Sequence, residues 1–266
     1  KRAALRPADD QSVVGDIWRI ITAAVTSAAG IDAGKLGFAR GDKVALKQLG
    51  KKHDALAAAL LTMGVTDAEV YISEARNGIA RVLSGETPTL CLGADVATGA
   101  SPAARWQLGR AAYHAADGTG MLSELREGEG AWWVAAALKV AEVSVPAPLI
   151  EAIAADEAAV AERVRLLGKQ LARKDKRALS GLVGRLREIN SPEAVTRWRR
   201  AAQAAGHRAG LLFAGDLAVA LAMLDVGRGG RALADSPAAL DLCAWSVSDA
   251  HCALRRALGC AIGGAA

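Results

Sequence analysis

Glu69-Val-Tyr-Ile-Ser73, Ile79-Ala-Arg-Val-Leu83 and Pro88-Thr-Leu-Cys-Leu-Gly93 decide the fold class of this chain. The first two alternate apolar and polar residues with period two, which suits a pleated strand with one face covered. Asn77-Gly78 separates the first pair, and Gly85 opens a turn before the third segment. Spacing of this kind predicts a small antiparallel sheet of about three strands within residues 65–95. No later segment reads as a strand with equal force. Upstream, Val13, Val14, Ile17, Ile20, Ile21 and Val25 recur at helical spacing, and a second helix is expected over 43–63. Downstream, Ser101-Pro102 is a helix-start pair that predicts a helix over 102–117. Ser191-Pro192 introduces another over about 193–213, and further helices are expected over 129–143, 148–173, 176–189, 216–224 and 237–258. Gly227 to Gly230 reads as a turn. The expectation is an α+β fold, predominantly α-helical, forming a single domain over residues 1–266.

Composition agrees with helix. Alanine supplies 61 of the 266 residues, and Phe, Tyr and Trp together only 10. Alanine has the best helix propensity and loses no side-chain entropy, so such a chain packs its helices closely. Hydrophobic residues make up 52%, which excludes a disordered chain. The net charge of +5 is a mild bias toward acidic partners. Four cysteines, Cys91, Cys243, Cys252 and Cys260, contain no CxxC pair, so reduced thiols are expected. The opening Lys1-Arg-Ala-Ala-Leu5 has neither initiator Met nor the apolar core of a secretory signal. The expectation is a cytoplasmic piece of a longer protein, without membrane insertion.

Familiar catalytic motifs are missing. There is no P-loop or GxSxG, and the glycines at 227–230 lack the preceding strand of a dinucleotide-binding loop. His251-Cys252 is an isolated pair, and Trp132, Trp133 and Trp198 read as large core residues. One surface feature stands out between 163 and 187. Arg165, Lys169, Arg173, Lys176 and Arg177 recur at three- and four-residue separations, as on one cationic helix face. Such a face could hold nucleic acid or an acidic partner. Between Trp133 and Trp198, however, there is no aromatic side chain on which a base could stack. A solvated surface is therefore the expected role.

Three stretches in order carry a family resemblance. Pro88-Thr-Leu-Cys-Leu-Gly-Ala-Asp-Val96 precedes the helix segment Trp106-Gln-Leu-Gly-Arg-Ala-Ala-Tyr-His114, and Gln203-Ala-Ala-Gly-His-Arg-Ala-Gly210 follows later. This order resembles the zinc metallopeptidases of the HtpX and CAAX-prenyl-protease type, with their strand, HExxH helix and ExxAD helix. Asn77-Gly-Ile-Ala80 is similar to the family's Asn-Ala-Phe strand. Ser246 to Gly259 is similar to tails of large bacterial tetratricopeptide-repeat proteins that carry such domains.

The resemblance implies a zincin-like helical domain whose pseudo-active-site helices are those at 102–117 and 193–213. It also implies a degenerate site. The family's first His falls on Arg110, its general-base Glu on Ala111 and its second His on His114. Its third-ligand Glu falls on Gln203, and the Asp of ExxAD on His207. Two imidazoles at i and i+4, a glutamate between them and a third ligand are what zinc hydrolysis requires. Four of those five positions are replaced here, so no catalytic residue, no metal and no cofactor are expected. The implied role is a pseudoenzyme acting as a scaffold or protein-interaction module with a protein partner. An active zinc hydrolase with rearranged ligands (His114, His207 and a cysteine or carboxylate) is the alternative. Arg110 is expected near Gln203 or His114, as a fixed cation in the vacated metal position.

Overall fold

The computed structural model describes residues 2–126, 128–226, 230 and 232–259. The turn expected at 227–230 therefore lies outside the described residues apart from Gly230, and so does Cys260. Among the described residues, twelve α-helices and four strands follow this order. Helix α1 is Val13–Ala29, strand β1 Lys43–Val44, helix α2 Asp54–Met63, and strands β2, β3 and β4 are Glu69–Ser73, Ala80–Leu83 and Thr89–Gly93. Then come α3 (Ala94–Thr98), α4 (Pro102–Asp117), α5 (Glu129–Val140), α6 (Ala147–Ile153), α7 (Glu157–Gln170) and α8 (Arg173–Ser180). The chain continues through α9 (Ala194–Ala214), α10 (Leu217–Ala222), α11 (Pro237–Ser246) and α12 (Asp249–Ala257). The α+β class with dominant helix is what the sequence implies.

The sheet differs from the expected meander. Its order is β1-β2-β4-β3, with β2 parallel to β4 and β3 antiparallel to β4. The reason lies in β4, where Leu90, Cys91 and Leu92 are all fully buried. A strand apolar on both faces belongs in the middle of a sheet. The segment between β2 and β3 is also too long for a tight hairpin. A short 3-10 turn, Glu74–Arg76, leads to Gly78, whose φ of +75° favours glycine. The carboxylate of Asp95 in α3 accepts the Gly78 N–H at 2.9 Å, pinning this crossing over the end of β4. Strand β3 is thereby left at the sheet's free edge.

Several helices are shorter than expected. Residues 43–53 form β1 and two 3-10 turns rather than the start of α2, because Lys43 and Val44 pair with Tyr71 and Val70. The expected helix over 148–173 is split into α6 and α7 by a 3-10 turn at Ala154–Asp156, and α7 stops at Gln170. Residues 176–189 divide between α8 and the 3-10 turn Val183–Glu188. The segment 237–258 breaks where Ser248 caps α12 through the His251 N–H. Two large apolar clusters result, beside a small one of Ala33, Phe38 and Cys91. One gathers α1, α5, α7 and the start of α9, and the other the sheet, α2, α4 and the rest of α9. Helix α9 belongs to both.

Candidate functional site

Helices α4 and α9 pack antiparallel, as close approaches along their length show. An added Cβ at Gly109 would lie 2.6 Å from the Ala209 carbonyl oxygen, and one at Gly206 only 2.4 Å from His114 Nε2. One at Gly210 would meet the Trp106 ring at 2.8 Å and Arg110 Cγ at 3.0 Å. Three glycines thus let the helix backbones approach closely and seat bulky polar side chains between them. Local sequence fixes the ends of α4. Ser101 Oγ accepts the Ala104 N–H at 3.1 Å, Pro102 opens the first turn, and Gly118 ends the helix with φ +69°.

The free edge of the sheet faces this helix pair. A cleft of about 290 Å³ is lined by residues 78–82, by Trp106, Gln107, Arg110 and His114 of α4, and by Ser123. The Gly93 N–H donates to the Ile79 carbonyl at 2.8 Å, so residues 79, 81 and 83 turn their backbone groups toward β4. By antiparallel alternation, Ala80 and Val82 turn theirs toward the free edge. Val82 meets Gly120 there, where a Cβ would come within 2.4 Å of its carbonyl oxygen. The Ala80 groups have no partner among the described residues.

Arg110 dominates the electrostatics. Its guanidinium stacks over Trp106 at 4.6 Å, and Nε is buried without a hydrogen-bond partner. Burial and then the Arg81 charge pull its pKa down to about 10, and no carboxylate among the described residues counters them. His114 is held neutral, its pKa lowered to about 3 by burial and then by Arg110 and His207. Its Nδ1 lies 2.8 Å from Thr119 Oγ1. His207 is also lowered to about 3, by burial and Arg110, and its ring stacks on Trp106 with centroids 6.0 Å apart. Ala111 is buried beside them. Arg110, Ala111 and His114 therefore share one site, with His207 across Trp106.

Gln203 is placed elsewhere. It lines two clefts apart from Arg110 and His114, one with Arg199 and one with Pro7, Asp241 and His207, so of the predicted site residues it shares a cleft with His207 alone. The α9 residue that meets His114 is Gly206, nearly one turn further on. These residues do not suit zinc. His114 Nδ1 is engaged by Thr119, Nε2 abuts Gly206, and the nearest charge is a guanidinium. No group of three His, Cys, Asp or Glu able to hold a metal exists among the described residues.

The basic series is divided between two helices. Arg165 and Lys169 lie on α7, whereas Arg173, Lys176 and Arg177 lie on α8, beyond an extended Leu171. Arg165 is paired with Glu162 at 2.6 Å. Arg163 turns inward, with its guanidinium 3.3 Å from Glu129 and 4.8 Å from the Trp132 ring. One continuous cationic helix face is therefore not formed.

Sequence reading missed Arg81 and Ser123, since each joins the cleft only because β3 takes the sheet edge. It also missed the buried Asp10, which has no motif around it. No helix among the described residues is long and apolar enough to cross a membrane. No protein-family model matches the chain, and neither a curated protein nor a solved structure matches it.

Proposed function

We propose that this chain is a non-catalytic binding scaffold built on a metallopeptidase-like helix pair, with a protein as its partner. The observation that carries this reading is the place of Arg110. Its cation acts on both His114 and His207, at a position that the resemblance aligns with the peptidases' first zinc-binding His. A metal ion there would face a fixed positive charge at short range and low dielectric, which opposes binding. Ala111, at the general-base position, has no group that can move a proton. The free edge of β3 remains beside the pair, with the Ala80 backbone available to an extended polypeptide.

The test is metal content together with peptide hydrolysis. Protein purified from zinc-supplemented medium is expected to hold far less than one zinc per chain and to leave unfolded protein substrates intact. Stoichiometric zinc, or hydrolysis abolished by a chelator, overturns the reading and favours the active hydrolase with rearranged ligands.

A further inference from the structure

The cleft between β3 and α4 has the features of a site that lacks its counter-ion. Arg110 carries a largely buried guanidinium, with Nε shut off from solvent and unpartnered, that meets an aromatic face and, through space, the charge of Arg81. An isolated buried charge is costly unless an opposite charge or a set of hydrogen-bond acceptors meets it. Arg81 comes from the opposite wall, with half of its side chain exposed. Its ion-pair partner among the described residues is Glu124, 3.7 Å from Nε, a loose pair. The other acids close by are already engaged. Asp117 holds Arg6 and Arg19 on the far flank of α4, and Asp95 accepts the Gly78 N–H. His114 is neutral and brings no charge. Gln107 and Ser123 add neutral polar groups to the lining.

We infer that this cleft binds a carboxylate, gripped by the guanidinium of Arg110 at its base and by that of Arg81 at its rim. Planar guanidinium forks match a carboxylate in paired hydrogen bonds. Charge selects the same ligand. Among the described residues one full positive charge is unmatched, so a monoanion neutralises the site, whereas phosphate near neutral pH carries between one and two charges and leaves an excess. The carboxylate has two sources, a free small acid or an acidic side chain on an extended peptide lying along β3. The inference goes beyond the scaffold reading and does not depend on it, because it rests on the unpaired cation and the cleft alone.

Calorimetric titration of the whole chain, at matched ionic strength, tests it with sodium glutarate, a terminally blocked Glu-containing peptide and inorganic phosphate. Saturable 1:1 carboxylate binding is expected. Arg110→Met should weaken it by about tenfold or more and Arg81→Gln by about threefold, the scale of charge-assisted hydrogen bonds. Thermal melting separates ligand binding from a structural role. Arg110→Met is expected to melt at or above the wild-type temperature while losing the carboxylate-induced rise. A peptide that binds more tightly than glutarate assigns the site to polypeptide, and equal affinities assign it to small acids; both support the inference. No saturable carboxylate binding, phosphate binding more tightly than carboxylate, or an unchanged response in Arg110→Met overturns it.

Discussion

On one flank of α4, Tyr113 and Asp117 close a buried network with Asp10, Arg6 and Arg19; on the other, Arg110 is largely buried and pairs with no acid among the described residues. In the network, Asp10 Oδ1 accepts from Trp198 Nε1 at 3.2 Å and from Arg19 at 3.3 Å, while Oδ2 accepts from Tyr113 at 3.3 Å. Asp117 accepts from Arg6 and Arg19 in turn. Two carboxylates meet two guanidiniums, and the network ties the N-terminal segment to α1, α4 and α9. Charges paired with opposite charges in this way fix geometry rather than invite ligands, even though Nε of Arg6 and of Arg19 is left without a hydrogen bond. The Arg110 flank has the opposite character. The same helix thus carries a structural charge cluster and a charge left open to the cleft, and pairing alone distinguishes them.

The largest test of that contrast is Asp10→Ala. It strips acceptors from Trp198, Tyr113 and both arginines, and is expected to cost about 3–5 kcal/mol in denaturant unfolding. A loss below about 1 kcal/mol would remove the network from its structural role.

Acid should act on the two flanks with opposite sign. His114 and His207 have folded pKa values lowered to about 3, so unfolding lets them take up protons near their ordinary value of about 6.5. Their contribution to stability is complete above pH 6.5 and is lost as pH falls toward 3. Asp10 is raised, by burial and then by Asp117, against the pull of Arg19 and Arg6. Its contribution is present at low pH and is lost as pH rises through its folded pKa. Replacing His207 with Gln should therefore flatten the fall of stability between pH 6 and 4, by up to about 1.4 kcal/mol per pH unit for one proton. An unchanged slope would mean that His207 already titrates normally in the folded chain.

The smallest effect is also the one whose sign matters most. Without ligand, Arg110→Met should stabilise the fold by about 1 kcal/mol, since an apolar side chain replaces an unpaired buried charge. A comparable loss would show that the contact with Trp106 outweighs the missing acid, and the two flanks would then differ less than their hydrogen bonds suggest.

Much of the helix content could be read directly. Ser101-Pro102, Gly118 and the spacing of Trp106, Leu108 and Tyr113 define α4, because capping and periodicity are local properties. Arg110, Ala111 and His114 were legible as one site for the same reason, since they lie within two turns of one helix. Gln203 was not. Its α9 neighbour Gly206 takes the position against His114, and which face of α9 turns inward is set by glycine contacts with a helix about 90 residues away in sequence.

The sequence by itself determined the class of the fold and the extents of α4 and α9, whose caps and periodicity are local. Only the tertiary structure decided that β4 lies inside β3, that β3 borders the cleft, and that Arg110 is unmatched while Arg6 and Arg19 are matched. Strand order and charge pairing depend on groups far apart along the chain, so their energies are settled by packing and burial rather than by any local run of residues.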